Sequence, residues 1–216
     1  MNDSRNLKVV EIINSPINGT LLVITNPILG LNVITENKIA VSGAVMGSIW
    51  EKALDRVSNF PALPAGGQFS VSSCLILGFG VGSNVKQVKK FWPKANITGV
   101  EIDPVMVDIG KKYFGLTEGD AEIVIADAFN FASNKKFDLI LVDLFIGDTI
   151  PRKFESNKFL KLVLRLLTNN GIVAFNRIYS GDHKDDSTKF KNKVSKIFRT
   201  INKIYYRKNL LFICQK

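Results

Sequence analysis

The sequence predicts an α/β protein with a doubly wound, mainly parallel sheet that ends in an antiparallel hairpin and follows a small antiparallel β-domain. Beyond residue 67, strand-like and helix-like segments alternate five times. The strand-like segments are continuous apolar runs, which are typical of strands buried on both faces. The first sixty residues differ, because short β-rich runs there are separated by turn signals. With 216 residues, 46% of them hydrophobic, the chain can bury a sizeable core.

The N-terminal segment is predicted to form a β-meander and a connecting helix. The three β-rich runs are Leu7–Ile13, Thr20–Thr25 and Leu31–Thr35. A helix at Ser48–Val57 is predicted to begin with a capping box, because Glu51 follows Ser48 by three residues. Residues 58–67 contain two prolines and two glycines, which is typical of a linker. We therefore expect a small domain at 1–60 and a larger one at 61–216.

The larger domain is predicted from its apolar runs. Its strands are Ser72–Leu77, Asn96–Glu101, Glu122–Ala126, Phe137–Asp143 and Gly171–Asn176. The helices between them are Asn84–Phe91, Pro104–Phe114, Ala128–Ala132 and Ser156–Leu167. A helix at Ser187–Phe198 and two strands, Ile201–Tyr206 and Leu210–Cys214, complete the chain. Sheets of this kind bind ligands at the carboxyl ends of their strands.

The net charge of +10 is concentrated at the C-terminus. Ten of the 29 basic residues, but only two of the 19 acidic ones, lie between Lys184 and Lys216. Such a tract is either a docking face for nucleic acid or a solvated helix face. Exposed aromatic residues are not interleaved with these charges, so the sequence favours the solvated face.

Cysteine and histidine are too few for a disulfide framework or a zinc site. Cys74 and Cys214 each lie inside an apolar run, and His183 is the only histidine. Reduced, buried cysteines are typical of a cytoplasmic protein. The polar N-terminus predicts no signal peptide, and no apolar run is long enough to predict a membrane span. We expect no metal.

A glycine-rich turn is the most informative motif. Gly78, Gly80 and Gly82 follow a predicted strand and precede a predicted helix. Such a turn lets the backbone approach a nucleoside closely, because a Cβ atom there would collide with the ligand. A dinucleotide site needs its third glycine at position 83, which is serine, so pyrophosphate binding is disfavoured.

Two carboxylates follow at neighbouring strand ends. Glu101 lies nineteen positions beyond Gly82, where an acidic side chain can accept hydrogen bonds from both ribose hydroxyls. Asp127 ends the next strand and can accept from an adenine amino group beside the backbone amide of Ala128. For both carboxylates the alternative role is a helix N-cap. Asp103 is predicted to be such a cap, because Pro104 follows it.

Several segments resemble the polyamine aminopropyltransferases, the spermidine synthases and their relatives. They are Leu75–Gly82, Gly99–Pro104, Ala126–Ala128, Phe137–Asp143 and Asn169–Asn176. The N-terminal meander and the helix beginning near Ser48 are similar to that family's small β-domain and its connection. The resemblance implies a Rossmann-like, methyltransferase-type sheet in a nucleoside-binding catalytic domain.

The resemblance also implies roles for individual residues. Gly78, Gly80 and Gly82 would line the nucleoside, Glu101 would hold the ribose, and Asp127 with Ala128 would hold the adenine. Asp143 matches the family's general base. The resemblance further implies a homodimer, a small amine as acceptor, and no tightly bound cofactor. The co-substrate would be S-adenosylmethionine or its decarboxylated form.

Two positions depart from the family pattern. Val81 stands where the family reads the donor's ammonium with an acidic residue, and Ile146 stands where a second Asp contacts the polyamine. Asp148 is a candidate replacement for that Asp. Ile76 replaces an acidic residue common in methyltransferases, which favours aminopropyl transfer. An adenosylmethionine-dependent methyltransferase and a non-catalytic adenosyl-binding homologue are the alternatives.

Overall fold

Two β-sheets organise the chain in the computed structural model, which describes residues 7–37, 39–60, 69–181 and 183–216. The linker predicted at 58–67 lies outside these residues from position 61 onward. The first sheet is antiparallel, with the order β1-β2-β3-β4. Its strands are β1 (Lys8–Ser15), β2 (Gly19–Asn26), β3 (Gly30–Thr35) and β4 (Ala40–Gly43). The predicted meander is confirmed, and β4 is an additional strand that the sequence did not predict.

Helix α1 (Ala44–Ser58) begins four residues before the predicted start, so the prediction of a capping box at Ser48 is wrong. The hydroxyl of Ser48 lies inside the helix and donates to the Val45 carbonyl at 2.7 Å. The cap comes from β3 instead, where the Asn32 side chain accepts from the Val45 amide at 2.9 Å. A residue distant in sequence thus supplies the partner that a free helix N-terminus requires.

The second sheet has seven strands in the order β10-β11-β9-β8-β5-β6-β7. Its first five strands are β5 (Ser73–Leu77), β6 (Asn96–Glu101), β7 (Glu122–Ile125), β8 (Phe137–Val142) and β9 (Leu167–Ile178). These five pair in parallel. The last two strands, β10 (Thr200–Tyr206) and β11 (Asn209–Gln215), form the predicted antiparallel hairpin, and β11 pairs antiparallel with β9.

Helices cover both faces of the second sheet. They are α2 (Ser83–Phe91), α3 (Pro104–Tyr113), α4 (Asn157–Leu166) and α5 (His183–Val194). One apolar core joins α1, α2 and α3 to the sheet, and another joins α4 and α5 to its opposite face. The helix predicted at Ala128–Ala132 is a short 3-10 turn, Ala128–Asn130. The basic helix lies four residues earlier than predicted, and it packs on the sheet through Phe190 and Val194.

Asp103 joins the two sheets and confirms the predicted N-cap. Its side chain accepts from the Val105 amide at 3.0 Å at the start of α3, and Pro104 occupies the first turn. The same buried carboxylate accepts from the Ser15 hydroxyl at 2.5 Å and from the Asn18 amide at 2.6 Å. One side chain therefore caps a helix of the larger sheet and anchors the β1–β2 turn.

Candidate active site

A crevice lies at the carboxyl ends of β5, β6, β7 and β8. Here β5 lies between β8 and β6. The chain adds β6 and β7 on one side of β5 and then β8 and β9 on the other, and ligands bind at such a reversal of strand order in open α/β sheets. Most of the predicted site residues surround this crevice. They are Gly78, Gly80, Glu101, Asp127, Ala128 and Asp143.

The glycine turn is confined by the protein's own atoms. A Cβ on Gly78 would lie 2.2 Å from the Asp143 carbonyl oxygen, and one on Gly80 would lie 2.9 Å from the Ser42 hydroxyl. Gly82 lies outside the crevice and is the N-cap of α2, with a φ of +79°. The structure thus places Gly82 at the start of α2, and its role in lining the nucleoside stays a prediction.

Glu101 is held rigidly at the end of β6. Its Oε2 accepts from the Gly80 amide at 2.7 Å, and its Oε1 accepts from the amides of Ile102 and Asp103 at 2.9 and 3.0 Å. Burial raises the pKa of Glu101, and these three amides partly oppose the rise. The side chain thus fastens the glycine turn to the next strand while it borders the crevice.

Asp127 has the N-cap role that was the alternative to ligand binding. Its Oδ1 accepts from the Phe129 amide at 2.9 Å, and its Oδ2 binds the Lys153 ammonium at 2.5 Å. Burial raises the pKa of Asp127. The Lys153 contact and the Phe129 amide lower it by more, so the pKa lies below its usual range. Both Asp127 and Lys153 border the crevice.

Asp143 is oriented by two side chains that the sequence analysis missed. The Trp50 indole N–H donates to Oδ2 at 2.8 Å, and the Asn176 amide donates to Oδ1 at 2.9 Å. Asn209 donates in turn to Asn176 Oδ1 at 2.8 Å, which fixes the orientation of that amide. Burial raises the pKa of Asp143, and the bonds from Trp50 and Asn176 lower it in part. A carboxylate with a raised pKa is a stronger base.

One signal in the sequence pointed to Asn176. It is a polar residue at the end of an apolar run that pairs in parallel with the strand before Asp143. The carboxyl ends of parallel neighbours meet at one edge, so Asn176, like Asp127, is expected at that edge. Trp50 gave no such signal, since its place in α1 satisfies the apolar pattern of a core residue.

The residues that depart from the family pattern have different surroundings. Val81 is 1% exposed and packs with Leu21, Val23 and Met106 in the apolar cluster between the two sheets. Ile146 borders the crevice and is 50% exposed. Asp148 does not border the crevice, and it accepts from the Thr149 hydroxyl at 3.2 Å.

Across residues 7–37, 39–60, 69–181 and 183–216, no three His, Cys, Asp or Glu side chains are grouped to hold a metal ion. None of the helices described is long and apolar enough to cross a membrane. The basic tract exposes Lys189 and Lys191 on α5 and Lys196 in the turn after it, and none of the three borders the crevice. Tyr205 is 56% exposed and lies among the same charges, so the expectation that no exposed aromatic residue is interleaved with them is wrong.

Comparisons with known proteins agree with this architecture. The family model described as "Spermine/spermidine synthase domain" matches residues 61–207. A "Probable polyamine aminopropyl transferase" from Bifidobacterium longum is 38% identical over 109 residues, which are 50% of this chain and 24% of that protein. An "eEF1A lysine and N-terminal methyltransferase" from Mus musculus is 26% identical over 154 residues, which are 65% of this chain and 22% of that protein. The chain thus aligns with about a quarter of the length of these curated relatives.

Solved structures share the fold. The crystal structure of spermidine synthase from Thermotoga maritima matches with a TM-score of 0.75 and 19% identity, over 96% of this chain and 72% of that one. This match extends across both sheets and is consistent with a Rossmann-like sheet preceded by an antiparallel one.

Proposed function

The chain belongs to the spermine/spermidine synthase family, and from this premise we propose that it transfers an aminopropyl group from decarboxylated S-adenosylmethionine to a small amine. The observation that carries the proposal is the setting of Asp143. Its carboxylate borders the crevice that Glu101 and Asp127 share, and Trp50 and Asn176 fix its orientation. Asp143 offers a proton acceptor at one end of the crevice, and Glu101 and Asp127 offer acceptors for ribose and adenine at the other. This arrangement suits a reaction between an amine and a nucleoside-bearing donor.

In the proposed reaction, the amine nitrogen attacks the aminopropyl carbon bonded to the sulfonium. The new C–N bond forms as the C–S bond breaks, and the C–S electron pair goes to sulfur, which leaves as neutral methylthioadenosine. The proton released by the attacking nitrogen passes to Asp143. Glu101 and Asp127 hold the nucleoside, so that nitrogen, carbon and sulfur are aligned, and alignment supplies much of the barrier reduction in a transfer between two substrates.

The direct test is replacement of the base. We expect Asp143→Asn to lower the rate of transfer to putrescine by about 100-fold or more, since general base catalysis contributes about 10²–10⁴-fold. Donor affinity measured by calorimetry should change far less. Asp108→Asn is the matched control, because Asp108 is exposed on α3 and lies outside the crevice. Undiminished turnover in Asp143→Asn would remove this carboxylate from the mechanism.

A methyltransferase on the same scaffold is the second candidate, and the position of Val81 favours it. This side chain is enclosed by apolar residues, so the glycine turn offers no acidic group to the ammonium of a decarboxylated donor. An intact methionine carboxylate needs no such group. Titration with both donors separates the candidates: tighter binding of decarboxylated S-adenosylmethionine supports aminopropyl transfer, and tighter binding of S-adenosylmethionine supports methyl transfer. Binding without turnover would indicate a non-catalytic homologue.

We further propose that the protein is a homodimer formed through the N-terminal sheet. Strand β1 is at an edge of that sheet, and its own apolar side chains Val9, Val10 and Ile12 are exposed at 42%, 43% and 63%. Exposed edges and apolar patches favour association. Sedimentation of the wild type and of Ile12→Asp tests this, and a wild-type monomer at micromolar concentration would refute it.

A cytoplasmic location completes the proposal, supported by Cys74 and Cys214, which are both free and buried. A nucleic-acid partner is not favoured. Lys189 and Lys191 are exposed on α5 and Lys196 is exposed in the turn after it, which supports solvation as their role.

A further inference from the structure

Asn84 is a buried amide without a protein partner. It is the second residue of α2, it is 4% exposed, and its Oδ1 accepts no hydrogen bond from the residues that the structure describes. Most buried side-chain polar atoms are paired, because an unpaired one loses its bonds to water without replacement. The fold alone therefore gives no reason for an amide at this position. An apolar side chain of similar shape would make the folded protein more stable.

The surroundings of Asn84 indicate a ligand partner. Asn84 borders the crevice together with Gly80 and Asp143. Side chains in an α-helix lean toward its N-terminus, so the Asn84 side chain leans back toward the glycine turn. The unpaired amide thus lies at the wall of the proposed donor site.

The strand order places Asn84 at the reacting end of that site. Along the crevice, Asp143 follows β8, the glycine turn and α2 follow β5, Glu101 ends β6, and Asp127 follows β7. With adenine at Asp127 and ribose at Glu101, the sulfur and its alkyl chain extend toward Asp143. This path passes the first turn of α2.

We propose that Asn84 accepts a hydrogen bond from the terminal ammonium of the donor's aminopropyl chain, an inference that rests on the proposed function. Its Oδ1 is fully buried in the ligand-free protein, so the amide rotates about χ2, a broad torsion in asparagine, to present this oxygen to the crevice. An amide oxygen can take over part of the acidic residue's role, because a hydrogen bond from a charged donor is stronger than one between neutral groups. Val81, by contrast, faces the apolar cluster between the sheets. Asn84 is therefore a specificity-determining residue for an aliphatic ammonium.

The test compares two ligands that differ in this group. Calorimetry measures the affinity of wild type and Asn84→Leu for decarboxylated S-adenosylmethionine and for methylthioadenosine, which lacks the aminopropyl chain. Leucine has nearly the same shape as asparagine. Asn157→Leu is the matched control, because Asn157 is an exposed residue in the first turn of α4, outside the crevice.

We expect Asn84→Leu to lower the affinity for decarboxylated S-adenosylmethionine by about tenfold or more. Its affinity for methylthioadenosine should stay within twofold of wild type. We also expect the ligand-free variant to melt about 2–4 °C higher, since it no longer buries an unpaired amide. These opposite changes in stability and affinity separate recognition from a structural role.

Other results would overturn the inference. Equal losses for both ligands would mean that Asn84 only shapes the crevice, and unchanged affinity for both would mean that it contacts neither. If the wild type binds methylthioadenosine but not the decarboxylated donor, both this role and aminopropyl transfer are refuted. Asn84→Asp provides a further check. A carboxylate at this position should bind the donor's ammonium at least as tightly as the wild-type amide does.

Discussion

Replacement of Trp50 by phenylalanine should change the pH dependence of catalysis. The Trp50 indole N–H donates to Asp143 at 2.8 Å and opposes the rise in the pKa of Asp143 that burial causes. Phenylalanine cannot donate, so the pKa of Asp143 rises further in Trp50→Phe. A general base acts above its pKa and is lost as the pH falls through it, so activity in the variant is lost at a higher pH than in the wild type.

The size of the effect follows from the hydrogen bond. A bond to a charged group contributes about 1.5–3 kcal/mol, and about 1.4 kcal/mol corresponds to a factor of ten in the ionised fraction. On the acid limb, where kcat/KM is proportional to that fraction, we expect about a tenfold or larger deficit in Trp50→Phe. The deficit should shrink as the pH rises and Asp143 ionises in both proteins.

The assay is the pH profile of kcat/KM for transfer to putrescine. Trp92→Phe is the matched control, because Trp92 is also buried and its indole N–H donates at 3.2 Å to the Phe69 carbonyl, remote from the crevice. Both substitutions remove an indole from a core, but only Trp50→Phe removes a donor from Asp143. A deficit of equal size at every pH, or an equal shift of the acid limb in Trp92→Phe, would refute the electrostatic role.

Three further predictions concern stability and geometry, each checked by urea unfolding or by turnover. Val81→Asp should lower the free energy of unfolding by about 3 kcal/mol or more, since it buries a charge among apolar side chains, and a fully stable variant would contradict the enclosure of this position. Asp103→Ala should lower the free energy of unfolding by about 3 kcal/mol, since both the cap and the Ser15 bond are lost. A decrease of only about 1 kcal/mol would mean that the cap alone contributes. Gly78→Ala should abolish turnover, because its Cβ would lie 2.2 Å from the Asp143 carbonyl oxygen; retained turnover would show that the backbone shifts to accept it.

The strands of the larger sheet were predictable because their apolar runs are continuous. Asn96–Glu101 matches the prediction at both ends, and Phe137–Val142 differs by one residue. The carboxylates that follow these strands could be placed together for the same reason, since parallel strands bring their carboxyl ends to one edge. Local pattern therefore sufficed for the sheet and for the position of Glu101 and Asp143.

Contacts between distant segments were not predictable from local pattern. The Trp50–Asp143 bond spans 93 positions, and the Asn176–Asp143 bond spans 33. The start of α1 was misplaced for a similar reason, because Asn32 provides the cap and no nearby residue does. Strand β4 was missed because four residues, Ala40–Gly43, are too few to establish an alternating pattern.

The anchoring of the β1–β2 turn makes that turn a reporter of ligand occupancy. Glu101 accepts from the Asp103 amide, and Asp103 accepts from the Ser15 and Asn18 side chains. Asn18 also borders the crevice. Suppose that a nucleoside binds only when these contacts are formed. By thermodynamic linkage, its binding then stabilises the docked N-terminal sheet, and docking of the sheet strengthens nucleoside binding by the same free energy. Limited proteolysis of this turn should therefore slow as the nucleoside saturates the protein, so that cleavage rate can serve as a binding assay that needs no turnover.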